Sequence, residues 1–442
     1  MLKSLKTIRD ETGASVQIKD ASFPAPFESG LEYGSPARGT WNIVHIGMLI
    51  PQAHEIFVCS SSCLRGVVLT AAEMNASDRF STVAIREHNL LDGDMEELVI
   101  DGVTDILHKL PKMPPVVLLY TTCIHKFMGS DLKLIYSTLR SRFPNVAFTD
   151  CYMTPIMRKS GLTPDQIMRR QLYSLLKKCP LNPRSINIIG NYFPTDESSE
   201  LVELIQKNGF ELKDITRCNT YQDYLNMAES SINISYNPVA KAGGETLEKR
   251  LGQKHLYLPL CYGFNEITEH LNKLAETLQV PRQDYTCNIE RAEQALKSAK
   301  KIIGDTPISI DYTATMRPLG LARLLLEHGF HVISVYVDAL NEEEKDDFEW
   351  LKKNSPNLKL YATVHVKMRV LCRNEEKKVL AVGQKAAYFN STENFVNIVE
   401  GGGMYGFDGI CRMADLLVDA FLHKKDTRSL IQMKGLGGEC CL

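Results

Sequence analysis

Twelve cysteines in a chain of 442 residues are the first chemistry the sequence offers. Two of them stand in Val58-Cys-Ser-Ser-Ser-Cys-Leu-Arg-Gly66, where Cys59 and Cys63 form a C-x3-C pair on a serine-rich loop behind an apolar segment. Thiolates on a loop of small residues can reach an iron–sulfur cluster while backbone N–H groups face its sulfides. From spacing alone, two ordinary buried thiols at a helix start are an equal alternative, because C-x3-C is a weaker signal than paired C-x2-C motifs. Cys123 adds to the metal reading. It follows the apolar run Pro115 to Tyr120 and then Thr121-Thr122, so it should sit at the carboxyl end of a buried parallel strand, where open α/β sheets place their ligands.

The remaining cysteines lack ligand spacing. Cys151, Cys179, Cys218, Cys261, Cys287, Cys372 and Cys411 are scattered, and a single buried cysteine mostly behaves as a small hydrophobe. The terminal pair Cys440-Cys441 lies on a glycine-rich tail, where metal binding or redox activity competes with an incidental role. Zinc would need a fourth ligand, for which His54 or His125 could serve, but without a second tight pair it is the weaker choice.

Composition narrows the partners. Lys plus Arg is 51 and Asp plus Glu is 53, a formal charge of -2, so no field of one sign would gather nucleic acid or anionic lipid. Hydrophobic residues at 44% and charged residues at 24% fit globular domains rather than disorder. No apolar segment follows the charged opening Met1 to Asp10, and the stretch Trp41 to Cys59 is broken by His45, Pro51, Gln52, His54 and Glu55. A cytoplasmic, reducing location is expected, without a membrane span, and there the cysteines are thiols or metal ligands.

The elements that must position these thiols alternate strand with helix. Phe80 to Ile85 reads as a strand, and Asp94 with Glu97 reads as a capping box for a helix ending near Pro111. A second unit opens with a strand at Ser185 to Gly190. It continues with a helix over Asp196 to Asn208, Gly209 at C′, and strands at Ser231 to Ser235 and His255 to Leu260, separated by a helix through Glu245 to Leu251. A third unit opens at Ile308 to Tyr312, with a helix over Leu319 to His328, a strand over His331 to Val337 and helices at Glu342 to Lys353 and Ile410 to Leu422. The expectation is an α/β chain of three Rossmann-like domains with parallel sheets around a central cleft, spanning 1–182, 183–304 and 305–442. Neither Gly190 nor Gly320 belongs to a G-x-G-x-x-G motif, so a dinucleotide site lacks its fingerprint.

These residues resemble the N-terminal domain of nitrogenase component 1 subunits. The likeness rests on Cys63, on Gly93-Asp-Met-Glu-Glu97 heading a helix, and on Tyr120-Thr-Thr-Cys123 ending a strand. It continues through Asn187-Ile-Ile-Gly190 and through Tyr405-Gly-Phe-Asp-Gly409, which is similar to the family's His-Gly-Tyr-Asp-Gly segment. In that family a loop cysteine and a strand-end cysteine ligate a cluster at the subunit interface, and Cys63 and Cys123 match them. The chain also departs from the family. The stretch Gly34 to Thr40 lacks the further cluster cysteine usual in α subunits, and Cys59, which has no counterpart, is taken from proximity as the third ligand. Tyr236 stands where the iron–molybdenum cofactor's cysteine is expected, and no suitable histidine lies near Tyr405, which argues against dinitrogen reduction by that cofactor.

The resemblance implies an iron–sulfur redox subunit of an ATP-dependent reductase. It would hold a [4Fe-4S] or larger cluster through Cys59, Cys63 and Cys123, take electrons from an iron-protein-like partner, and form a homodimer or a heterodimer with a related subunit. The alternative is a non-catalytic scaffold or maturase that carries a cluster or precursor for another enzyme. A third class is a sugar- or nucleotide-binding α/β protein whose cysteines are all structural.

Overall fold

The structure, a computed structural model, describes residues 6–36, 43–153, 161–372 and 378–433. Two compact units divide the chain. One comprises Thr40–Tyr192 and Phe210–Tyr257, the other Met1–Gly39, Phe193–Gly209 and Leu258–Leu442.

Strands are numbered in chain order, and β1 (Ser15–Gln17) joins the last sheet rather than the first. In the first unit, β2 (Ala53–Ser60), β3 (Phe80–Ile85), β4 (Val116–Thr122) and β5 (Ala147–Met153) form a parallel sheet in the order β3-β2-β4-β5. All seven residues of β4 are buried, because apolar clusters cover both faces and leave no solvent side for polar residues. Ile43, Phe57, Leu118, Tyr120 and Met168 pack on one face, and Ile56, Val58, Val103, Leu119 and Leu139 on the other. A second parallel sheet, β7-β6-β8-β9, is built from β6 (Asn182–Ile188), β7 (Glu211–Asp214), β8 (Ser230–Ser235) and β9 (Lys254–Tyr257).

The other unit holds β10 (Ile308–Asp311), β11 (Val332–Tyr336), β12 (Lys359–Tyr361), β13 (Leu380–Val382) and β14 (Phe395–Val396). These five are parallel in the order β12-β11-β10-β13-β14, and β1 pairs antiparallel with β12 at the edge. The expected α/β class with parallel sheets is thus observed. Among the described residues no helix is long and apolar enough to cross a membrane.

Two local readings change. Asp94 does not cap the helix Met95–Lys109 through its side chain, because Asn89 Nδ2 donates to that carboxylate at 3.1 and 3.2 Å. The helix expected from Asp196 starts at Glu200 instead. Asp196 N–H donates to Gly403 O at 3.0 Å, and Ser199 takes over as the cap by accepting from Leu201 N–H. Gly209 does take the left-handed C′ conformation, with φ +74°.

Gly190 shows why a turn needs glycine. Its φ is +82°, and a Cβ there would run into the Cβ of Ala240 in the turn Pro238–Ala240. Gly190→Ala should lower stability by roughly 2–4 kcal/mol, from left-handed strain and overpacking together. Urea unfolding midpoints measure it, and a loss under about 1 kcal/mol would contradict this account.

Candidate cluster site at the carboxyl edge of the first sheet

β2 and β4 are the two central strands of their sheet, paired in register from Ala53↔Val116 to Phe57↔Tyr120. Their carboxyl ends therefore emerge side by side, and each runs straight into a helix. Cys63 is the third residue of the helix Ser61–Glu73 and is exposed. Cys123 opens the helix Cys123–Met128 and is half-buried. Cys59 is not on a loop, as the sequence suggested, but within β2, fully buried and opposite Ala84 of β3. Pairing with β3, which continues to Ser60↔Ile85, draws it into the sheet.

Cys59 feels the other two thiols electrostatically. Burial first, and then the charges of Cys63 and Cys123, push the Cys59 thiol up to about 12. Three thiolates gathered at one edge are unfavourable without positive charge between them. Ser60 Oγ pairs with Ser62 Oγ at 3.2 Å instead of capping the helix Ser61–Glu73, so no side chain caps the first-turn N–H groups beside Cys63.

His54 and His125 do not join the cysteines as the tetrahedral zinc alternative requires. His54 Nε2 bonds Ser81 Oγ at 2.8 Å, and its place in β2 puts it on the face opposite Cys59. His125 Nδ1 accepts from Thr122 N–H at 3.1 Å and closes a capping box. Burial lowers His125 to about 4, so its ring is neutral and the proton resides on Nε2, which is buried without a partner. Among the described residues no three His, Cys, Asp or Glu side chains are grouped closely enough for a single metal ion.

Beneath Cys59 lies an aromatic floor. Phe57 stacks on Tyr120 with ring centroids 3.9 Å apart and planes 6° apart, and Phe80 lies 5.2 Å from Phe57 on the other side. One residue pair further down is Glu55, fully buried, which sequence reasoning noted only as a break in an apolar stretch. Tyr120 Oη gives its single proton to Ile43 O at 3.0 Å, so its 3.4 Å approach to Glu55 Oε1 is favourable only if the carboxyl is protonated. Glu55 Oε2 has no partner, and burial holds this acid well above the usual carboxylate range. A lone charge inside an otherwise apolar strand was the available signal for it.

The other cysteines stay apart from this edge. Cys151 is core, in register with Tyr120. Cys179 and Cys218 pack at the margin of the same core, and Cys218 Sγ donates to Asp214 O at 3.5 Å. Cys261 lies 3.5 Å from His270 Nδ1 in the other unit, Cys287 and Cys372 are exposed, and Cys411 is half-buried. Cys440 and Cys441 lie outside the described residues. Tyr236 and Tyr405 are both buried, and the Tyr405 segment starts the helix Gly406–Leu422.

Comparison with known proteins agrees with this architecture. The profile of the family described as nitrogenase component 1 type oxidoreductase matches residues 44–422. A solved structure titled nitrogenase Cp1 at pH 6.5 superposes with a TM-score of 0.66 at 14% identity, covering 89% of this chain and 94% of its own. The same protein at pH 5 gives a TM-score of 0.59, again at 14% identity, over 93% of this chain and 94% of its own. At that identity the likeness speaks for the fold. No curated protein matches.

Proposed function

This chain belongs to the nitrogenase component 1 type oxidoreductase family, and from that premise we propose that it is the iron–sulfur redox subunit of an ATP-dependent reductase served by an iron-protein-like partner. The observation that carries the reading is the meeting of Cys59, Cys63 and Cys123 at the carboxyl edge of two central parallel strands. The donor set suits a [4Fe-4S] or larger cluster. Three thiolates held together at one edge need a cationic group to stay ionised, which the irons of a cluster would supply. When bound, such a cluster supplies one-electron transfer.

The chain's own residues then have separate tasks. The three thiolates hold the group, and the uncapped first-turn N–H groups of Ser61–Glu73 stabilise its negative charge. Phe57 and Tyr120 close the floor against water. The rim of the same edge is apolar and exposed, with Leu91 at 85% and Phe127 at 73% in the helices that follow β3 and β4. Exposed apolar rims of this kind suit a partner chain, which would supply the remaining ligands of a shared cluster in a homodimer or heterodimer.

Anaerobic purification with iron and sulfide analysis and light scattering tests this. The expected protein is brown, absorbs near about 400 nm and has a dimeric mass. A monomeric mass with about four irons per chain would overturn the shared site. Colourless, iron-free protein would overturn the redox reading itself.

A further inference from the structure

We propose that the cavity over β11 and β12 binds an uncharged, planar heteroaromatic molecule of nucleoside size that carries an amino group. The inference is independent of the cluster reading, since every residue it uses belongs to the unit that holds β10 to β14. The cavity measures about 710 Å3, inside the span of about 300–1,000 Å3 usual for small-molecule pockets. Its exposed lining residues, Asn354 and Asn357, precede β12, so the mouth lies toward the amino end of that strand.

One wall is a column of rings. Tyr336 stacks on Tyr361 with centroids 5.1 Å apart and planes 19° apart, and Phe389 continues the column from Tyr336 at 5.5 Å and 13°. All three rings line the cavity. Strand pairing sets Tyr336 beside Tyr361, and Phe389 comes from the helix Gln384–Asn390. Both hydroxyls are tied down. Tyr361 Oη donates to Glu11 Oε1 at 3.1 Å, and Tyr336 Oη accepts from Asn390 Nδ2 at 3.2 Å. An aromatic ligand therefore meets a wall that is already built, at little ordering cost.

The polar groups narrow the ligand. Lys359 Nζ lies 2.7 Å from Glu11 Oε2, so the ammonium on the wall is neutralised and an anionic ligand would find no countercharge there. Asn390 spends both of its N–H groups, on Tyr336 Oη and on Ala386 O. Asn354 Nδ2 donates to Trp350 O at 2.9 Å. What these amides have left to offer is chiefly their carbonyl oxygens, which accept, and an amino group on the heterocycle supplies the matching donor.

Calorimetric titration of the full-length protein with adenosine, AMP and purine riboside, which lacks the amino group, tests the class. Alkylation of Cys372, an exposed thiol of the lining, tests the place. Adenosine should bind with a Kd on the order of 10–100 µM, more tightly than AMP. Its affinity should exceed that of purine riboside about fivefold, the worth of a neutral hydrogen bond. At about ten times Kd it should slow alkylation of Cys372 about tenfold. Cys287, exposed on the helix Thr286–Ile303, should react at its unliganded rate. Cys372→Trp, which fills the mouth from an exposed position, should weaken adenosine at least about tenfold, and Cys287→Trp should not. No binding of adenosine at about 1 mM would overturn the proposal. AMP or purine riboside matching adenosine would overturn the ligand class. Unprotected Cys372, or unchanged affinity in Cys372→Trp, would overturn the site.

Discussion

Cys63→Ala and Cys123→Ala, isolated anaerobically, should each retain less than about a tenth of the wild-type iron. Removing residues that merely orient a metal ligand already costs about 10–100-fold in affinity, and removing a ligand should cost at least as much. Cys59→Ala should show a comparable loss, because its thiol lies within the electrostatic reach of the other two. Cys218→Ala is the control. Its sulfur sits beyond β7, bonded to Asp214 O, and the charges around it are those of Asp223, Asp214 and Lys213 rather than other thiols. Equal iron in all four variants would refute the assignment. Loss in Cys63→Ala and Cys123→Ala with full retention in Cys59→Ala would reduce the set to two ligands per chain.

Glu55→Gln should flatten the dependence of stability on pH and make the protein more stable than wild type at pH 8. The sign follows from linkage. Glu55 titrates near the ordinary glutamate value of 4.5 when unfolded and well above it when folded, chiefly through burial. The folded state therefore holds more protons than the unfolded state at any pH between those values. Its full stability is present below pH 4.5 and is lost as pH rises toward the folded pKa, by up to about 1.4 kcal/mol per pH unit. Arg79 does not reverse this, because its guanidinium is committed to the carbonyls of Met48, Ile50 and Ala53.

Glutamine keeps the shape of the protonated acid and cannot ionise. Urea unfolding of both proteins from pH 5 to pH 8 reads the difference, and parallel profiles would show that Glu55 is not held neutral. A loss of stability at every pH would instead mean that the amide finds no partner beside Tyr120 and Gly47. The site is tight, since a Cβ on Gly47 would overlap both Glu55 Oε1 and Tyr120 Oη.

Much of the frame was legible because it is encoded locally. An unbroken apolar run from Pro115 announces a strand covered on both faces, and Gly209 announces a left-handed helix end through its lack of a Cβ. Cys123 at a strand end follows from the same local pattern. Asp94 misled because a capping box is a statement about neighbours in sequence, whereas its carboxylate was taken by Asn89 in the preceding turn. The β1 strand was missed for a related reason. Three residues carry too little pattern to read, and their partner β12 lies far along the chain.

Residue type and short-range periodicity were thus enough for the α/β class and for the strand that runs into Cys123. Tertiary structure alone decided that Cys59 is buried strand rather than loop, that β2 emerges beside β4, that His125 keeps one nitrogen occupied and one free, and that Glu55 lies in the core. Those facts depend on pairing register and burial between segments distant in the chain. Adding a partner strand on either side changes them without changing any local pattern.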